Sequence, residues 1–192
     1  MIRRIAAALA GGITLMGATQ AQAASTSGLT FRPFSADQTM VMNGKTTQSK
    51  VYVTADAIRT EGDKITIARL DKQVIWIVTP AAKTYIEMKL SGQMLAAFVE
   101  SAKDAQIVRT PAGSEQVGSY NCDKYNVKIT WQGNEYDSVE WDAKELGGFP
   151  VKSAATDGSW TKTYDNIKIG PQDPSLFTVP DDYRKIALPF SM

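Results

Sequence analysis

Histidine is absent from the 192 residues, and cysteine occurs once. Without histidine there is no Ser-His-Asp or Cys-His nucleophilic site, no imidazole base and no His-ligated metal. A single thiol closes no internal disulfide and builds no cysteine zinc cage. An excess of one charge is missing too: 21 Lys and Arg stand against 20 Asp and Glu, a formal net charge of +1. So near-neutral a chain carries no electrostatic footprint for nucleic acid or for an anionic membrane surface. No glycine-rich phosphate loop occurs: Gly11-Gly12 lies in an apolar run, and Gly147-Gly148 follows no strand–helix pattern. Glu87, Asp137 and Glu140 are carboxylates without the spacing that marks an acid–base couple. These absences favour a non-enzymatic binding module, with no cofactor and no metal expected.

The N-terminus reads as an address. Arg3 and Arg4 precede Ile5–Ala18, an apolar run interrupted only by Thr14, and Ala21-Gln22-Ala23 fits a small-x-small cleavage site. The run has 14 residues, short of the roughly 20 that span a bilayer. Residues 1–23 are therefore expected to be a cleaved signal peptide, and residues 24–192 a single periplasmic domain. Losing the two arginines takes the formal charge from +1 to −1. No cysteine follows the cleavage site to be lipidated, and no later apolar stretch is long enough to span a membrane. A chain of this size buries roughly 70% of its unfolded surface, so one core suffices without staples.

From Leu29 onward the dominant period is two. Ser35–Met42, Lys45–Thr54, Ala57–Thr60, Lys64–Leu70, Gln73–Val78 and Lys83–Lys89 read as strands. They are separated by Asn43-Gly44, Thr54–Asp56, Glu61-Gly62-Asp63, Asp71-Lys72 and a turn at Pro80. Val74–Val78 is apolar at both parities, as in a strand covered on both faces. Leu90–Asp104 breaks the pattern. Leu90, Met94, Leu95, Phe98, Val99 and Ala102 fall on one face of a helix, with Ser91 as its N-cap. Strands resume at Gln106–Thr110, turn at Pro111–Gly113, and continue through Asp123–Trp131, Glu135–Asp142, Phe149–Ala155 and Ser159–Ile169. Asp173–Phe177 reads as a short helical turn with Pro174 in its first turn, and Thr178–Tyr183 closes the domain. The expected fold is mainly β with one helix: a curved antiparallel sheet of about ten strands, an incomplete barrel, with a lid-like amphipathic helix at about 90–104.

Three blocks carry a resemblance. They are FSADQTM with SKVYVTADAIRTE, then IARLDKQVIWIVTPAAKTYIEM, then VGSYNCDKY with WDAKELGGFP and PSLFTVPDDY. Together they resemble exported bacterial domains of the DUF4412 type, which are similar to the LolA/LolB lipoprotein carrier fold. In such domains a strand ending in Arg is followed by a charged hairpin, a W-x-x-x-P strand and a Tyr. Here these are Arg59, Asp71-Lys72, Trp76 with Pro80, and Tyr85. The resemblance implies an incomplete barrel whose helical lid covers an apolar cavity for acyl chains. The carriers usually begin with a helix, whereas here only about ten residues separate the expected cleavage site from the first strand.

The resemblance implies that Arg59 holds a lid through hydrogen bonds to its carbonyls, a task suited to a planar fork. The alternative is a strand arginine paired with Glu61 or Asp63. Trp76 reads as a core tryptophan or a cavity wall. Met94, Leu95 and Phe98 are the lid candidates. Cys122 lies between Asn121 and Asp123 at a turn into a strand, where nothing clearly activates it, and reads as a small core residue, with intermolecular pairing as the alternative. Tyr120, Tyr125, Trp131, Tyr136, Trp141, Trp160 and Tyr164 fall on strand-like stretches, as sheet pairing rather than a stacking platform. The expected partner is an apolar or acylated ligand, such as a lipid or a lipoprotein acyl chain. The alternative is a sensing or regulatory module that binds another envelope protein.

Overall fold

In the computed structural model, residues 31–90, 105–131 and 133–187 are described. Their alternating segments form twelve strands. These are β1 (Phe34–Met42), β2 (Lys45–Val53), β3 (Ala57–Glu61), β4 (Ile65–Arg69), β5 (Val74–Thr79), β6 (Thr84–Lys89), β7 (Ala105–Val117), β8 (Tyr120–Trp131), β9 (Asn134–Ala143), β10 (Phe149–Ala155), β11 (Trp160–Ile169) and β12 (Arg184–Lys185). They make one sheet in the order β12-β6-β5-β4-β3-β2-β1-β11-β10-β9-β8-β7. Every pairing is antiparallel except β12 on β6. The sheet is curved and unclosed. Chain length agrees with the curvature. Residues 90 and 105 are fifteen Cα steps apart, yet a flat sheet would put β6 and β7 about 48 Å apart, near the full reach of a taut chain.

The turn residues set the registers. Asn43 (φ 50°) and Gly44 (φ 77°) take left-handed values and join β1 to β2 in a two-residue hairpin, with Met42 opposite Lys45. Period two then sorts residues onto two faces. One row runs Phe34, Val53, Ile58, Ala68, Ile75, Met88 across β1 to β6. The next residues form the opposite row: Ser35, Tyr52, Arg59, Ile67, Trp76, Glu87. The first row belongs to what we call the back face, the second to the front face.

The main core lies on the back face. It joins Phe34, Val51 and Val53 to Cys122, Ala143, Leu146, Phe149, Val151 and Tyr164. Phe149 meets Phe31, Phe34 and Tyr164 edge-on, with centroids 5.2, 4.8 and 5.1 Å away. A smaller cluster on the same face contains Ala68, Ile75 and Leu90. On the front face, Ala57, Ile67 and Val78 pack against Phe177. β5 is thus covered on both sides, Ile75 at the back and Val78 at the front, as its apolar run implied.

Three expectations need correction. The sheet has twelve strands rather than about ten. Pro111–Gly113 is not a turn between strands: β7 runs through it for 13 residues, and a register shift between Pro111 and Ser114 absorbs it. β7 is an edge strand, where the missing proline N–H costs no ladder bond. No α-helix occurs among the described residues, which contain only 3₁₀ turns at Pro80–Ala82, Lys144–Leu146 and Pro174–Phe177. The lid helix expected at about 90–104, with Met94, Leu95 and Phe98, lies outside the described residues from 91 on. Leu90 is not helical and sits against Ala68 and Ile75. The expected signal peptide also lies outside the described residues.

Candidate functional site

The front face is where a predicted site residue acquires an unusual job. Arg59 on β3 donates through Nε to Glu61 Oε1 at 2.7 Å, and its Nη1 donates to the Leu176 carbonyl at 2.9 Å. Arg69 on β4 repeats the construction. Nε and Nη2 form a fork on Asp71 at 2.8 and 2.6 Å, and Nη1 reaches the Phe177 carbonyl at 3.2 Å. In both, a carboxylate two residues on fixes one edge of the guanidinium, and the free edge is aimed at main chain. Strand alternation puts Arg59 and Glu61 of β3 on the same face, and Asp71 reaches back to Arg69 from the turn after β4. Hydrogen bonding to Arg69 holds the Asp71 carboxyl below its usual range, and Asp71 raises Arg69 in turn.

The carbonyls belong to a strap, residues 171–187, that leaves β11 and crosses the front of β3 to β6. Its 3₁₀ turn is capped by Asp173, whose carboxylate accepts from Ser175 N at 2.9 Å. Phe177 is 4% exposed and fills the space over Ala57, Ile67 and Val78. Leu176, Val179 and Tyr183 pack around it, against Tyr52, Ile65, Trp76 and Tyr85. Beyond Tyr183 the strap adds to the sheet: Arg184 N donates to Lys83 O at 2.9 Å and Ile186 N to Tyr85 O at 2.8 Å. Two ion pairs pin that end, Lys83–Asp182 and Lys185–Glu87, each 2.7 Å.

Two of the five predicted site residues, Arg59 and Trp76, therefore lie in one front-face row, separated by Ile67. Trp76 is half-buried beside the strap, and its Nε1 donates to Glu87 Oε2 at 2.9 Å. Lys185 and then Trp76 bonding lower the Glu87 pKa. The other three, Met94, Leu95 and Phe98, lie outside the described residues. Arg59 pairs with Glu61, the strand-arginine alternative, and its Nη1 meets the main chain of residues 171–187; the expected helical lid lies outside the described residues. The cover it meets is the C-terminal strap. Arg69 and the strap were missed; the repeated Arg-x-acid on successive strands was the available signal.

Elsewhere, Cys122 is fully buried in the back core, and burial pushes its thiol pKa up. Asp137 and Glu140 project from opposite faces of β9, so they form no carboxylate couple. Glu140 shares Arg109 with Asp142, at 2.6 and 2.5 Å. Two open clefts, of about 370 and 440 Å³, flank the β1–β11 bulge and share Asn166 and Ile167. No helix among the described residues is long and apolar enough to cross a membrane.

Residues 28–147 match a family described as a domain of unknown function, DUF4412. The chain belongs to the DUF4412 family. The match ends before β10, so in this DUF4412 chain the strap lies beyond it. No curated protein matches the sequence. Among solved structures, PNGF-II is similar with a TM-score of 0.53 at 11% identity, over 82% of this chain and 31% of that one. At that identity the likeness shows the fold alone. MucB follows with a TM-score of 0.47 at 11% identity, over 82% of this chain and 61% of that one. The Mycobacterium tuberculosis lipoprotein LppX has a TM-score of 0.43 at 15% identity, over 77% of this chain and 91% of that one. The chain thus spans about a third of the PNGF-II chain and three fifths of the MucB chain it matches.

Proposed function

We propose that the chain is an exported, non-enzymatic binding module for an apolar or acylated ligand, such as a lipid or a lipoprotein acyl chain. One observation carries the reading: Arg59 holds the Leu176 carbonyl over the apolar front of Ile67 and Trp76. The cover is fastened by polar contacts at its rim and by Phe177, with Leu176, Val179 and Tyr183 partly buried around it. Its release costs about 1.5–3 kcal/mol for each arginine bond and about 3 kcal/mol for Phe177. An acyl chain burying about ten methylenes returns roughly 8 kcal/mol. Such a chain offsets the arginine bonds and Phe177, and a ligand that displaces the whole strap must also offset Leu176, Val179, Tyr183 and the two main-chain bonds to β6. In this reading Trp76 is the wall that meets the ligand. On sequence pattern alone, Met94, Leu95 and Phe98 supply a second apolar cover.

Fatty acids carrying a nitroxide on the acyl chain test the reading by quenching tryptophan. Saturable quenching that falls sharply in Trp76→Phe supports it. Quenching that is absent, or identical in Trp76→Phe, overturns this site.

A second reading, a regulatory module that binds another envelope protein, is favoured by one observation. The edge of β6 already accepts an added strand, Arg184–Lys185.

A further inference from the structure

The strap is bound in the way one protein binds another's extended peptide. Its main chain adds to the edge of β6 through Arg184 N and Ile186 N. Two consecutive carbonyls, Leu176 and Phe177, are read by two arginines that carboxylates hold in place. Its side chains fill one apolar patch on the front face. Its charges meet opposite charges of the sheet, Asp182 on Lys83 and Lys185 on Glu87. The link from β11, Gly170–Asp173, has no strand structure and contributes no buried residue.

We propose that the front face is a binding groove for an extended peptide, and that residues 174–186 are its built-in occupant. The inference rests on the second reading above and names the chemistry of the partner. The partner carries an aliphatic–aromatic pair, an aliphatic residue and proline two and three positions after the aromatic, then an acid five and a base eight positions after it. These are the places of Leu176, Phe177, Val179, Pro180, Asp182 and Lys185. Arg59 and Arg69 supply recognition that does not depend on side chains, because they bond carbonyls every peptide has. The tethered strap competes at an effective concentration set by its short link, on the order of mM. A free peptide binds the intact protein only weakly and binds well once the strap is loosened.

The test uses the full chain and a fluorescent peptide with the sequence of residues 173–186, followed by anisotropy. The strap variant Phe177→Ala keeps the groove residues and weakens the occupant. Asp182→Asn, at an exposed ion pair, is the second variant should Phe177→Ala fold poorly. The expected result is saturable binding tighter than to the unaltered chain, at least tenfold for Phe177→Ala and about two- to fivefold for Asp182→Asn. Adding Arg59→Leu and Arg69→Leu removes that binding, as does alanine at the peptide's phenylalanine. No saturable binding to either strap variant overturns the proposal, as does binding indifferent to the two arginines. Nitroxide quenching on the same proteins is read separately. Peptide failure with intact quenching sinks only this inference, and the reverse outcome sinks only the acyl-ligand reading.

Discussion

Replacing Arg59 with leucine isolates the fastening from the fold. The side chain is 13% exposed, and the change removes one charged donor from the Leu176 carbonyl and the partner of Glu61. Glu61 is 33% exposed, so water can take over its solvation, and the effect falls mainly on the strap. A charge-assisted hydrogen bond contributes about 1.5–3 kcal/mol, which is about a 10- to 150-fold change in the strap's opening equilibrium. Hydrogen exchange reads this directly, because the amides of Arg184 and Ile186 are protected only while the strap is on β6. Their protection should fall by that factor, while amides of β1, β2 and β11 keep theirs. Unchanged exchange at Ile186 would refute the fastening. An equal fall in β1 and β11 would show that Arg59 holds the whole sheet instead.

Three further outcomes follow from the strap and the core. The carboxyls of Asp71, Glu87 and Asp182 are held below their usual range by Arg69, Lys185 and Lys83 respectively. Depressed carboxyls stabilise above their unfolded pKa near 4, and that contribution is lost as pH falls through the lower folded values. Ile186 exchange, corrected for intrinsic rates, should therefore be flat from pH 5 to 8 and lose protection below about pH 4. Phe149→Ala removes the ring against which Phe31, Phe34 and Tyr164 stand edge-on and should cost about 3–5 kcal/mol in denaturant unfolding; a loss under 1 kcal/mol would contradict the placement of the core. Cys122, fully buried and with its thiol pKa raised, should resist maleimide in the native state and react on unfolding.

Much of the sheet was legible because each strand's evidence is local. Asn43-Gly44 marks its hairpin, and the alternation in Lys45–Val53 and Ile65–Arg69 fixes which residues face the core. Pro111 misled because an edge strand tolerates a proline, and β7 absorbs this one in the register shift between Pro111 and Ser114. The site was less legible. Arg59 stood out through family resemblance, not through its own neighbourhood. Arg69 and the strap did not, because their contacts join residues 108 to 117 positions apart, which no local periodicity encodes. Thr178–Tyr183 is an irregular cover rather than a strand, and the two-residue parallel strand Arg184–Lys185 follows it.

Native mass spectrometry of the protein, isolated without detergent, tests the central claim most directly. The account predicts an adduct with the mass of a phospholipid, a fatty acid or an acylated peptide, lost more readily from Arg59→Leu. A bare mass that stays unchanged when acyl ligands are added would contradict it.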